Sequence, residues 1–255
     1  MTPREFKRKQ LAKLQEQKTK PHQKISNTFI QSSIHKNTAG ALKTIFYLAS
    51  LLEKNDIDLS QELNTLQIDL RKMLKYTNLT VKEIRNNLKA MQETSISFIN
   101  EVKKEELMIN LLPYIDFKWG KNYVEIKLFS KIAKLIIDVK KNYTFLDTST
   151  LMGLKNKHSL RILPLLNLLS GYDEDVGKRK TYELEDLNDL FGTAYKNLHD
   201  ISRKILTPVK EELDSTSKLS FIYEINFDNF GKGRPKATSI TIDVIRKNAV
   251  QGKLL

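Results

Sequence analysis

The stretch YELEDLNDLFGTAYKNLHDISRKILTPVKEELDSTSKLSFIYE, residues 182–224, holds the pattern from which the fold can be read. Tyr182 to Leu184 suits a short strand, and Glu185 to Phe191 suits a small helix stopped by Gly192, a residue that accepts the left-handed conformation at a helix end. A longer helix is predicted from near Ala194 to about Leu213, because Leu198, Ile201, Ile205, Val209 and Leu213 form one apolar stripe. Lys196, Asn197, Asp200, Arg203 and Lys204 fall at or near its opposite face, and Pro208 is expected to bend or restart it. The alternating runs 219–227 and 239–245 then predict a hairpin around the polar loop 228–238. Helix, turn, helix and hairpin is the order of a winged helix.

Upstream, residues 160–169 are a leucine-rich helix with Gly171 as its terminator, followed by a polar loop at 173–180. The same order occurs earlier in the chain. Residues 38–52 place Leu42, Ile45, Phe46, Ala49 and Leu52 at helical spacing, and Leu66, Ile68 and Leu70 alternate as a short strand. Asp69 can cap a helix to about Lys75 that turns Leu70, Met73 and Leu74 inward, and residues 76–79 make a turn. Thr80 opens the next helix, with Val81, Ile84, Leu88 and Met91 as the apolar seam. Alternating stretches at 95–99, 107–117 and 123–128, with a turn at Gly120-Lys121-Asn122, supply a first wing, and a helix over 129–140 buries Ile132, Leu135, Ile136 and Val139. The expectation is a helix-rich α+β chain of two tandem winged-helix domains, residues 25–141 and 142–255. A basic, solvated N-terminal arm over 1–24 precedes them, rich in cations from Arg4 to Lys24 against only Glu5 and Glu16.

Across 255 residues, 43 Lys and Arg face 30 Asp and Glu, a net charge of +13 that suits a polyanionic partner, nucleic acid first. The 40% hydrophobic content is spread out, and no run approaches the roughly 20 apolar residues of a membrane span. The basic N-terminus lacks the apolar core of a secretory signal, so a cytoplasmic protein is expected. With no cysteine in the chain, disulfides, thiolate zinc sites and cysteine nucleophiles are excluded together.

A recognition helix in the major groove needs an anchored apolar back and donors in front. Lys82, Arg85, Asn86 and Lys89 in the first module, and Lys196, Asn197, Arg203 and Lys204 in the second, meet that need; they fit a plain solvated helix face as well. Arg and Lys can donate to guanine or phosphate and Asn can pair with adenine. Lys155, Lys157 and Arg161 at the start of the leucine-rich helix, beside His158, are further phosphate-contact candidates. So are Lys232, Arg234 and Lys236 in the second wing. That loop lacks the spacing and strand-to-helix context of a nucleotide-binding P-loop. His22, His35, His158 and His199 show neither paired nor metalloprotease spacing, and the Asp173-Glu174-Asp175 run reads as a charged loop. No catalytic residue, metal or cofactor is expected.

The second half, through Lys157-His158-Ser159-Leu160-Arg161-Ile162, Tyr182-Glu183-Leu184-Glu185-Asp186-Leu187, Tyr195, Arg203 to Glu211 and Leu219 to Glu224, resembles the iteron-binding plasmid replication initiator family. The resemblance extends over residues 26–244, in the first half through order and pattern. It implies tandem winged helices that bind direct repeats in double-stranded origin DNA as a monomer and often repress their own gene as a dimer. It also implies host initiator protein, replicative helicase and chaperones as partners. The strand-rich segment 95–128 is longer than a minimal hairpin. Two other readings remain beside this one: a winged-helix transcription regulator, and a rolling-circle nicking enzyme that would need a catalytic tyrosine and a metal.

Overall fold

Leu42, Ile45, Phe46, Ala49 and Leu52 are all buried, which makes α1 (Ala39–Lys54) the spine of the N-terminal half. The computed structural model describes residues 22–26, 30, 38–54, 58–100, 104–137, 143–171, 178–228 and 235–247. After α1 comes β2 (Leu63–Asp69), with Asn64, Leu66 and Ile68 turned inward at strand spacing. The Asp69 carboxylate accepts the backbone N–H groups of Arg71 and Lys72 and so starts α2 (Leu70–Thr77). Asn78, at φ 55°, closes α2 in the left-handed conformation, and Thr80 with Glu83 forms a reciprocal capping box that opens α3 (Val81–Gln92).

The strand-rich segment divides where the sequence reads one run. Leu111 and Leu112 are buried in succession and Pro113 carries no N–H, so the alternation at 107–117 breaks into two strands of different sheets. Among the described residues β3 (Ser95–Asn100) pairs only with β4 (Glu105–Asn110), whereas β5 (Tyr114–Lys118) joins β6 (Tyr123–Phe129) and β2 in the order β2-β6-β5. Helix α4 (Ser130–Ile137) follows with Ile132, Ala133 and Ile136 buried; the Leu135 side chain and Val139, expected inward as well, lie outside the described residues.

β7 (Tyr143–Asp147) and α5 (Thr148–Gly153) have no counterpart in the expected order of elements. β7 pairs antiparallel with β1 (His22–Ser26), from His22 opposite Asp147 to Ser26 opposite Tyr143. This sheet spans the boundary expected at residues 141 and 142 and takes His22 to Lys24 out of the expected arm, whose first twenty-one residues lie outside the described ones. Pairing between segments so distant in sequence leaves no local signature.

The second module repeats the first: α6 (Lys157–Leu169), β8 (Arg179–Glu183), α7 (Leu184–Phe191), α8 (Leu198–Ile201), α9 (Thr207–Thr216), β9 (Leu219–Asp228) and β10 (Lys236–Arg246). Its sheet runs β8-β10-β9, so each module puts its last strand in the middle. Strand β8 lies somewhat earlier than the expected 182–184 because Glu183, whose carboxylate closes a capping box with Asp186, already begins α7.

The two spines α1 and α6 touch, and the apolar side chains of both modules merge into one continuous core. At the junction Lys43 Nζ, from α1, donates to the Met152 carbonyl at 2.6 Å. Partial burial pulls the Lys43 pKa down, opposed by the nearby carboxylates of Glu212 and Glu83. Glu212 of α9 in turn accepts the backbone N–H groups of Lys155, at 2.6 Å, and Asn156. Replacing Glu212 by Gln should therefore lower the unfolding free energy by about 1–2 kcal/mol. Urea titration would show the loss, and amide exchange should rise locally at Lys155 and Asn156.

A second expectation concerns pH. Burial against the edge of Phe191, together with the charges of Lys157 and Arg161, pushes the His158 imidazole down to about 4. The unfolded chain, with its histidine near 6.5, then binds the extra proton between those values. The stability contributed by neutral His158 is full above pH 6.5 and is lost as pH falls toward 4. Urea midpoints measured across that window should decline, and His158→Gln should flatten the decline.

Candidate nucleic-acid interface

Ile84, Asn87, Leu88 and Met91 face inward along α3, which places Lys82, Arg85, Asn86 and Lys89 together on its exposed side. These four recur at helical spacing and form one row. Lys89 lies 4.0 Å from Glu93 one turn on, an exposed pair of little energetic weight. The expected seam differs at one position: Val81 is 40% exposed, and Asn87 takes the inner place. Asn87 accepts a hydrogen bond from the Thr38 hydroxyl at 3.4 Å and sits over Gly40, where an added Cβ would come within 2.7 Å of its amide nitrogen. The glycine lets the spine and α3 cross closely.

The second recognition element begins later than its apolar pattern suggests. Asn188 grips residues 193–195, accepting from the Thr193 hydroxyl and the Tyr195 N–H and donating to the Tyr195 carbonyl, all within 2.9 Å. That holds the turn out of helical conformation. Asn197 then caps α8: its side-chain oxygen accepts the Asp200 N–H at 2.8 Å, so this residue, a candidate for a DNA contact, is engaged in starting the helix. Asp200 is the organiser of this surface. Its carboxylate lies 3.2 Å from Arg203 and 3.3 Å from Lys204, and it also accepts from the Asn197 amide. The hydrogen bond from Lys204 is the chief reason its pKa falls below the usual carboxylate range. Lys204 also stands 5.1 Å from the centre of the Tyr195 ring, and Lys196 is exposed beside them.

Between α8 and α9 the chain makes a π-turn, Ser202–Leu206. Two features of the sequence explain it. Pro208 has no N–H for the carbonyl one turn back. In addition, Ile201, Ile205, Val209 and Leu213 are spaced four apart, and in a regular helix each such step drifts by about 40°. The wider turn unwinds that drift, and all four side chains remain buried. Thr207 N–H bonds the Ser202 carbonyl across the turn, and Tyr223 of β9 braces it, its hydroxyl 2.9 Å from Ser202 Oγ and 3.0 Å from Thr207 Oγ1. The exposed Arg203 and Lys204 ride on this turn.

The remaining expected sites are scattered. Lys155 and Lys157 are exposed at the start of α6, where Asn156 is the cap. Arg161 is a correction: only 9% exposed, it points inward, donates to the Leu190 carbonyl at 3.2 Å, and has its pKa pushed down to about 10 by burial. It serves the carbonyl end of α7, where a cation is favourable. Lys236 is exposed where β10 leaves the loop of the second wing, opposite Asp228, whereas Lys232 and Arg234 lie outside the described residues. The ring of His199 approaches Phe227 of the wing at 6.0 Å. Asp200, Asn188 and Tyr223 were not among the expected residues; a polar residue that organises its neighbours looks, in sequence, like any other. Among the described residues no group of three His, Asp or Glu side chains could hold a metal ion, and no helix is long and apolar enough to cross a membrane.

Tyr223→Phe removes the brace and leaves the ring. It should cost about 0.5–1.5 kcal/mol of stability. Amide exchange should quicken at residues 202–207 while α6 stays protected, and an unchanged pattern would show that the π-turn needs no brace.

Residues 22–167 match the family described as Initiator Replication protein, WH1, and residues 183–244 match the family described as Initiator Rep protein, WH2. The first match begins at β1 and runs past β7, so it takes in the sheet that these two strands form. No curated protein matches significantly. Among solved structures, one described as "Crystal structure of Pi initiator protein in complex with iteron DNA" is similar in fold, with a TM-score of 0.68 and 12% sequence identity over 89% of this chain and 98% of that one. With both of its winged helices matched, the chain belongs to the initiator replication protein family.

Proposed function

We propose that this chain initiates plasmid replication by binding repeated duplex sequences, iterons, with α3 and the α8–α9 element in successive major grooves. The observation that carries this reading is the shared build of the two elements: a buried apolar seam on one side and exposed cations on the other, Lys82, Arg85 and Lys89 on α3 and Arg203 and Lys204 on the π-turn, with Lys196 exposed in the turn just before α8. Membership of the initiator family and the fold shared with a protein solved on iteron DNA support it. On this reading Asn86, exposed in the same row of α3, contacts a base or phosphate, and Lys155, Lys157, Lys232, Arg234 and Lys236 supply salt-sensitive phosphate contacts. Origin opening on this reading is mechanical: binding strains an AT-rich segment, and host initiator and helicase supply ATP hydrolysis and unwinding. The chain itself is not an enzyme. Repression of its own gene, through a dimer of the first module, is compatible with the same contacts.

A plasmid carrying the gene and its flanking direct repeats should replicate; failure despite specific binding would leave a regulator. In mobility shifts at fixed salt, Arg203→Ala and Lys196→Ala should each cost on the order of 1–3 kcal/mol of specific binding. Lys134→Ala on α4, at the opposite end of the sheet from the wing, should stay within about 0.5 kcal/mol. Equal losses in all three would reduce the cations to a general electrostatic role. Site-specific nicking of supercoiled origin DNA, abolished by one tyrosine substitution, would overturn the non-enzymatic reading.

A further inference from the structure

The tip of the first wing carries the chain's one tryptophan, Trp119, and leaves it 49% exposed. The ring is not loose. It stacks on Phe117, with centroids 4.7 Å apart and planes 8° from parallel, and Phe117 packs against the edge of the core. The turn beneath it is a single 3-10 turn, Trp119–Lys121, closed by Asn122 at φ 55°. The Asn122 carbonyl accepts the Leu70 N–H at 3.0 Å, which ties the tip to the start of α2.

The surroundings are cationic and open. Lys121 and Arg71 are exposed and line a shallow polar hollow with Gln67, Asn122 and Tyr123. Asp69, also there, is occupied in capping α2, and Lys118 is paired with Asp116. An added Cβ on Gly120 would meet nothing within 4 Å, so the tip stands clear of the rest of the molecule. The recognition helix α3 packs on β5, and Trp119 directly follows that strand. A half-exposed indole held flat on a second ring at the end of a hairpin is unfavourable in water. One face of the ring is taken by Phe117, and the ring is left 49% exposed, with room for an occupant. Lys121, exposed in the same turn, and Arg71, which lines the hollow with it, have no ion pair among the described residues and point to an anion-bearing one.

We propose that Trp119 is a DNA-contact residue of the first wing. Its open face wedges from the minor groove against a base step that it partly unstacks, beside the major groove that α3 enters, while Lys121 and Arg71 meet the adjoining phosphates. This rests on the duplex-binding reading above and adds to it a contact that no recognition helix makes.

The single tryptophan makes the test direct. The full-length protein is used to select its own duplex from a random library, and emission excited at 295 nm is followed as that duplex is added. The expected result is quenching, and protection from acrylamide, that saturate together with the mobility shift. Trp119→Ala should weaken the selected duplex about tenfold, with Trp119→Phe recovering part of the loss and thermal melting unchanged in both. A normal mobility shift with unchanged emission and unchanged acrylamide access would overturn the contact and leave the proposed function standing. Selection of no duplex at all would sink the proposed function and this contact with it. Emission that changes with protein concentration alone would make the tip an interface between copies. Quenching by the single strand but not the duplex would make it a platform for unpaired bases. Either of these last results replaces the duplex contact.

Discussion

A helix that offers its side chains to a partner must be fastened along its back, and in this molecule that requirement organises both modules. In α3 the fastening is Ile84, Leu88 and Met91 with Asn87 lowered onto Gly40. In the second module it is a row of four side chains whose spacing does not suit a regular helix. The π-turn is the backbone's answer to that row, and it coincides with the two cations Arg203 and Lys204. The packing on the inside therefore decides the direction in which the outside residues point. Tyr223 shows the coupling at the level of single atoms, because one phenol on the wing's first strand bonds to both ends of the turn.

Much of this was legible before any coordinates. The stripe from Leu198 to Leu213, the Thr80 start, the Gly192 stop and the hairpin of β9 and β10 follow from periodicity and local capping chemistry, which act over a few residues. What was illegible depends on partners far away in the chain. Arg161 and Lys157 look alike at a helix start, and only the carbonyl of Leu190, supplied by another helix, draws Arg161 inward. Asn197 offers the same amide whether it reads a base or caps a helix, and the turn gripped by Asn188 decides for the cap. The β1–β7 sheet joins segments separated by most of the first module, so neither strand announces its partner. Leu111, Leu112 and Pro113 sit inside a stretch whose flanks alternate like one strand, and only the burial of both leucines shows that it is two.

The electrostatics follow a similar division. Net positive charge brings a polyanion near without choosing its sequence. Acidic residues do the sorting. Asp200 holds Arg203 and Lys204 in one place, and Glu212 stays at the junction, bonded to amides at the start of α6. A reading that counts only cations overlooks the carboxylates that limit where those cations can go, although these are what turn a charged face into an arranged one.

The continuous core beneath α1 and α6 has a consequence for the partner. Two DNA-reading modules on a flexible tether could settle on half-sites at many separations. Here the spines pack on each other, Lys43 reaches across to Met152, and a two-stranded sheet runs from the start of one module to the threshold of the next. On the proposed reading such a molecule acts as a pair of calipers: its span is set by side-chain packing, and a repeat lengthened by half a helical turn would carry one of its halves round to the far side of the duplex.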